Sequence, residues 1–461
     1  MGSFWDYDVW GLILLLGALL GSLLIANVIK KGIPILRDSL IPTSVIGGLL
    51  LLVVSAIYKG ITGDVMFDTE VFNKNGMNTL EIITYHMLAL GFIASAFKTT
   101  GGKLTKQRTS EIFNTGVTTV ATYLIQAIVG FGITMIAALI MVDFFPAAGV
   151  LLPFGYGQGT GQALNYGTIY ETEFGFDGGK SFGLTIAALG FLSASIGGVI
   201  HLNIMKKRGK LKMSSRTDGS LHTEEVHSDD EIPMQESIDK MTVQIALIVV
   251  AYIAAYFLMF VLGELLPGMR SVIYGFNFLL GVLTATLIKV FLNFLHKKNV
   301  VKKKYTNNFL MTRASNFFFD IMVVAGIAAI RLDILEDYWG IMLILGVAGA
   351  VITYAYNRLV AKTLFGDYVE EQFLAMYGML TGTASTGIIL LREVDVDFKT
   401  PTSDNLVYQN FPAIAFGFPM MFLATLAPDK PILTFIIFIL FFAVMNVILF
   451  RNQIFKRKNK K

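Results

Sequence analysis

The sequence predicts an all-α polytopic membrane protein, and three observations carry that prediction. Apolar stretches of roughly 20 residues recur along the chain, the length a helix needs to cross about 30 Å of hydrocarbon. Only 15% of the 461 residues are charged, where a soluble domain has about a quarter; mean hydropathy is +0.64. The charges gather between the apolar stretches. None of these stretches alternates like a barrel strand, and an open sheet cannot satisfy its edges in lipid, so the spanning elements are helices. The absence of cysteine excludes disulfides, thiolate zinc sites and iron–sulfur clusters. Five scattered histidines (His86, His201, His222, His227, His296) have no metal-ligand spacing. The net charge of +4 speaks to topology, and no nucleic-acid partner is expected.

In chain order, spans are expected near 9–29, 40–58, 79–97, 112–142, 180–205, 241–263, 271–295, 309–330, 338–361, 407–427 and 431–450. Two further stretches, 150–170 and 372–391, are apolar but crowded with Gly, Thr and Ser. Both are too interrupted for ordinary spanning helices.

Orientation follows from Lys and Arg. The segments around Lys30, Lys31 and Arg37, Lys98 to Arg108, Lys206 to Arg216, Lys297 to Lys304 and the tail from Arg451 to Lys461 collect most of the basic residues. With these in the cytoplasm, the N-terminus lies outside and eleven crossings bring the C-terminus inside. Both Gly-rich stretches then enter and leave on one side, the first from outside and the second from the cytoplasm. The competing reading makes 372–391 a full crossing and 407–427, broken by Pro412 and Pro419, a shallow loop.

Residues 206–240 form the longest polar stretch and read as a cytoplasmic linker between halves. On each side stand four spans, a Gly-rich stretch and another span. Five crossings is an odd number, so the second half enters the membrane with opposite polarity. The expected organisation is an N-terminal repeat over 1–205, an inverted repeat over 241–430, and an extra span with a basic tail over 431–461. Met87-x3-Gly91-x2-Ala94 matches Met322-x3-Gly326-x2-Ala329, and Gly157-Gln-Gly-Thr-Gly161 stands where Thr381-Gly-Thr-Ala-Ser-Thr-Gly387 does. Inverted repeats with interrupted segments in corresponding places are the pattern of a secondary transporter.

Glycine at these places lets the backbone leave the helix, exposing amides at half-helix N-termini and carbonyls at C-termini. The first attract carboxylates; the second, with Thr and Ser hydroxyls, coordinate sodium. The alternative is that small residues only allow close helix packing. Candidate substrate ligands are Gln158, Gly159, Thr160, Gly161, Thr383, Ser385 and Thr386, with Arg313 for a substrate carboxylate. Candidate Na+ ligands are Thr381, Gly382, Gly387, Asn316 and Asp320. Asp320 is the deepest acid in any span, and charges there are functional by default. Arg313, two turns earlier, has a simpler reading as a side chain snorkelling to the interface. His86 reads as a packed hydrogen-bonding residue.

The motifs resemble those of the bacterial sodium–glutamate symporters. Ile41-Pro42-x2-Val45-x-Gly47-Gly48 is similar to that family's I-P-x-x-V-x-G-G, Gly157-Gln158-Gly159-Thr160-Gly161 to its Gly-rich loop, and Phe174-Gly175-Phe176 to its aromatic-Gly-aromatic exit. The resemblance implies two five-span halves with re-entrant loops, a homodimer in the bacterial inner membrane, and sodium-driven uptake of glutamate or a related anionic solute. Gln158 departs from the His often found in that loop, the second loop is a looser match, and the span 431–450 is additional to the family's ten. A proton-coupled or dicarboxylate carrier is the nearest alternative; a channel or an intramembrane enzyme is more remote.

Overall fold

Ten helices among the described residues are long and apolar enough to cross a membrane. The computed structural model describes residues 3–38, 41–98, 105–208, 238–300, 305–395 and 400–454, and these contain no strand. Most of the expected linker and most of the basic tail fall outside them. The chain is a multi-pass membrane protein. Its long helices are α1 (Tyr7–Gly32), α2 (Thr43–Thr62), α3 (Gly76–Phe97) and α4 (Lys106–Ala138). Two short helices follow, α5 (Leu151–Gln158) and α6 (Thr160–Phe174), and then the long α7 (Gly179–Lys207). The same order recurs in α8 (Lys240–Leu265), α9 (Asn277–Lys297), α10 (Asn308–Ala328) and α11 (Trp339–Leu364). The short pair α12 (Val369–Thr381) and α13 (Ala384–Arg392) precedes α14 (Asn410–Leu426) and α15 (Pro431–Leu449).

Helix boundaries have local causes. Thr105 accepts a hydrogen bond from the Arg108 amide and Asp239 one from the Thr242 amide, capping α4 and α8. Gly63 and Gly175, with φ of +80° and +71°, end α2 and α6 in the left-handed conformation. Pro431 opens α15 at a position where its missing N–H is harmless.

One expected crossing is built differently. Over residues 407–427 a short helix, Thr402–Tyr408, gives way at Gln409 to α14, which has 17 residues and holds Pro419 inside it. At 1.5 Å per residue α14 reaches about 25 Å, at the lower end of the length a spanning helix needs. The competing full crossing over 372–391 is not formed either. That segment folds back on itself, with Gly387 against the Ala375 carbonyl and Leu390 against Leu374 and Tyr377. It is a helical hairpin turning at Gly382 and Thr383. The stretch 150–170 is a second hairpin, turning at Gly159, with the Phe154 ring on one arm stacked on Tyr166 of the other at 3.7 Å.

By packing the chain divides into two compact units, each assembled from both halves of the sequence. The first comprises Met1–Glu81, Leu104–Leu211 and Val323–Lys461, and holds both hairpins. Its long central helix α4 packs against α11, α14, α15 and both hairpins. The sequence motif at 41–48 has a structural use here. Gly47 lies against Ser22 of α1, and a Cβ on Gly48 would stand 2.7 Å from that of Ile327, so bare backbone allows α2 to pack against both neighbours. The second unit comprises Ile82–Lys103 and Lys212–Met322. Its core is Ile93, Ala94, Phe97, Ile248, Ala251, Ala285, Met311, Ala314 and Phe318. Polar groups of this unit pair with one another: Tyr85 donates to the Tyr274 carbonyl at 2.7 Å, Ser315 to the Gly91 carbonyl at 3.0 Å, and the exposed His86 bonds Tyr252 at 2.7 Å.

Candidate functional site

The first hairpin turns on a backbone that only glycine adopts readily. Gly159 has φ +83° and ψ −174°, a region closed to side chains by the clash of Cβ with the flanking peptide. This ends α5 in mid-protein and starts α6 one residue later, leaving the carbonyls of one half-helix and the amides of the next at the same point. The second hairpin reaches its turn through extended backbone at Thr383, whose hydroxyl faces the Thr386 amide at 3.4 Å.

The two turns meet. A Cβ placed on Gly159 would stand 3.7 Å from Thr383 Cγ2 and 4.0 Å from the Gly382 carbonyl oxygen. The N-termini of α6 and α13 therefore begin at adjoining places, each with first-turn amides that the helix leaves unbonded. Helix α10 presses on the first turn where Gly326 lies beneath Thr160, a Cβ there falling 2.9 Å from Thr160 Cβ. Helix α4 supports both: Tyr123 donates to the Gly157 carbonyl at 3.1 Å and Gln126 to the Leu380 carbonyl at 2.8 Å.

Several polar atoms here are buried without a hydrogen-bond partner. They include Thr160 Oγ1, Gln162 Nε2, Thr185 Oγ1, Gln126 Oε1 and Asn357 Oδ1. A buried group left unbonded costs about 1–3 kcal/mol. The set contains acceptors for a cation and a donor for an anion.

Of the residues expected from sequence, Gln158, Gly159, Thr160 and Gly161 lie at the first turn and Thr381, Gly382 and Thr383 at the second. Ser385 and Thr386 lie in the first turn of α13 and Gly387 just beyond it. Thr160, Thr381 and Thr386 are fully buried. Arg313, Asn316 and Asp320 stand exposed on the portion of α10 that belongs to the second unit. The Arg313 guanidinium lies 5.0 Å over the Phe309 ring. Gln162, Tyr123 and Gln126 were not expected; isolated polar residues in apolar helices leave no mark on averaged hydropathy.

The hairpins are anchored from outside the turns. Tyr166 and Tyr170, one turn apart on α6, donate to the Met421 and Ala424 carbonyls of α14 at 2.8 and 2.7 Å. At the base of the second hairpin, Glu370 takes two hydrogen bonds from Arg358 at 2.6 and 2.7 Å and meets His201 Nε2 at 2.9 Å.

The sequence profile of the sodium/glutamate symporters matches residues 12–371, more than three quarters of the chain and the whole of the first hairpin. The chain belongs to the sodium/glutamate symporter family. No curated protein matches it. As a member of that family the symporter is a sodium-coupled membrane transporter, and sodium is its implied coupling ion. The orphaned oxygens and paired half-helix ends of the first unit are of a kind that suits an alkali cation and a carboxylate.

Proposed function

We propose that the protein carries glutamate or a related carboxylate-bearing amino acid into a bacterial cell together with sodium, by alternating access. The reading rests on one observation, the meeting of two helix breaks at Gly159 and Thr383. In this reading the hairpins are re-entrant, dipping into the bilayer from opposite faces as the counterparts in two inverted repeats. The amides opening α6 and α13, with Gln158, Thr160, Thr383, Ser385 and Thr386, receive the substrate carboxylates. Thr381, Gly382 and Gly387 supply oxygens to sodium. Coupling follows because each ligand orders the loops the other needs. The N-terminus lies outside and the C-terminus in the cytoplasm, and two copies assemble in the inner membrane. Asp320, Asn316 and Arg313 on α10 are proposed separately as further ligands, tested by Asp320→Asn and Arg313→Gln.

The deciding experiment is uptake of labelled glutamate into reconstituted vesicles. An inward sodium gradient should accelerate uptake, and replacing sodium with choline at constant pH should abolish it. Uptake that persists in choline and follows a pH gradient would replace sodium coupling with proton coupling. Preference for citrate over glutamate would move the substrate to the dicarboxylates. Thr160→Val and Thr383→Val should both impair uptake at normal expression; normal kinetics in both would remove the hairpin turns from the site.

A further inference from the structure

The fourth long helices of the two halves carry the same short pattern, Thr122-Tyr123-x2-Gln126 on α4 and Thr353-Tyr354-x2-Asn357 on α11. The structure brings the two copies together inside the first unit. Gln126 Nε2 donates to Thr353 Oγ1 at 2.8 Å as well as to the Leu380 carbonyl. Asn357 Nδ2 donates to the Thr353 carbonyl at 3.0 Å and to Thr122 Oγ1 at 3.3 Å. Both amide groups are thus hung on Thr353, one by its hydroxyl and one by its carbonyl. All four side chains are at most 2% exposed.

These bonds fix the orientation of both amides. The Leu380 and Thr353 carbonyls can only accept, so each must face an NH2 group. The opposite ends, Gln126 Oε1 and Asn357 Oδ1, can only accept, and neither has a donor. Two pure acceptors sealed in one polar knot at membrane depth are a standing cost that a carboxylate would worsen and a cation would remove. Gln126 Oε1 also stands 3.4 Å from where a Gly157 Cβ would be, directly beside the first hairpin turn.

We propose that Gln126 Oε1 and Asn357 Oδ1 ligate a sodium ion between α4 and α11, a site distinct from the oxygens of Thr381, Gly382 and Gly387. An all-neutral oxygen set suits a monovalent hard cation, since a divalent one would call for carboxylates. Gln126 ties the position to both hairpins, its Nε2 donating to the Leu380 carbonyl and its Oε1 lying beside Gly157. The proposal rests on the sodium-coupled reading above and adds a second sodium position to it.

The test is thermal unfolding of the full-length protein in detergent, titrated with sodium chloride against choline and potassium chloride at constant ionic strength. Wild type should gain a saturable increment in melting temperature from sodium alone. Gln126→Met and Asn357→Leu, which keep volume and remove the oxygens, should weaken apparent sodium affinity at least about tenfold, the scale on which ligand-sphere changes act. In choline they should melt lower than wild type, because they also remove the donors to the Leu380 and Thr353 carbonyls, so the readout is the apparent sodium affinity and not the basal melting temperature. Asn357→Asp, which places a carboxylate at the same atom, should enlarge the sodium increment. Unaltered sodium affinity in the Met, Leu and Asp variants would overturn the site while leaving sodium coupling intact. Absence of any sodium increment in wild type would overturn both. A loss of glutamate affinity at saturating sodium, with sodium affinity unchanged, would assign the oxygens to the substrate's ammonium group and overturn the proposal.

Discussion

Alanine at position 159 separates backbone strain from crowding. A Cβ there meets only Thr383 Cγ2 at 3.7 Å and the Gly382 oxygen at 4.0 Å, which is ordinary van der Waals contact. Space is available. The conformation is not, because φ +83° with ψ −174° is a region for which a side chain costs about 1–3 kcal/mol. Gly132 in α4 is the natural control, since its Cβ would meet the Phe435 ring at 3.6 Å, equally ordinary contact, on helical backbone. Gly132→Ala should stabilise by roughly 0.4–1 kcal/mol through lost freedom of the unfolded chain, and Gly159→Ala should destabilise despite the same added methyl. At the site, about 1–3 kcal/mol corresponds to a change of roughly 5–150-fold in coupled binding. The assays are melting temperature in detergent and sodium-driven glutamate uptake in vesicles. A Gly159→Ala protein that melts and transports like wild type would refute the reasoning, since the hairpin turn would then not depend on its backbone angle.

Other outcomes follow from particular contacts. Gly326→Ala should push on Thr160, whose Cβ lies 2.9 Å from the added carbon, and impair uptake at a cost of about 1–3 kcal/mol while the protein still folds. Tyr166→Phe and Tyr170→Phe, which leave the Met421 and Ala424 carbonyls without their donors, should each lower stability by about 1 kcal/mol, measured by melting temperature. Glu370→Gln removes the acceptor charge for Arg358; with both side chains 17% exposed, the loss should be about 1–3 kcal/mol, read by melting. Burial pushes the Asp333 carboxyl up, but the hydrogen bond from Lys59, a backbone hydrogen bond and the charges of Lys59 and Arg331 together outweigh it and hold the group below its ordinary value. Its contribution is therefore whole above the unfolded value near 4 and fades as pH falls through the lower folded one. Lys59→Met should leave the melting temperature flat between about pH 5 and 8 and cost less than about 1 kcal/mol, because the pair is largely exposed.

Run length alone made ten of the spans legible, since an apolar run of membrane length has few other uses. The break at 407–427 was not legible: its apolar content is ample, but the helix divides at Gln409, and averaged hydropathy is blind to where a helix ends. The turns at 159 and 382–383 were readable from composition, because glycine beside threonine is poor helix material and costly in lipid unless buried. That each turn folds back rather than continuing depended on contacts such as Phe154 with Tyr166, for which spacing offers no rule. The knot of Thr122, Gln126, Thr353 and Asn357 was hidden because four polar residues are diluted among some forty apolar neighbours. Its trace was the recurrence of Thr-Tyr-x2-Gln and Thr-Tyr-x2-Asn, visible only when the two fourth helices are aligned. Arg313 and Asp320 were legible as charges in a span.

The hairpin turns contain no ionisable side chain: Gln158 to Gly161 and Thr381 to Gly387 offer only amides, carbonyls, hydroxyls and one carboxamide. Such a host is formally neutral, so a solitary cation or a solitary carboxylate entering it forfeits its hydration with no countercharge to receive it. A cation and an anion arriving together neutralise one another. If these turns receive ion and substrate as proposed, the electrical balance there is carried by the cargo itself, and a lone passenger of either sign is the costly one to move.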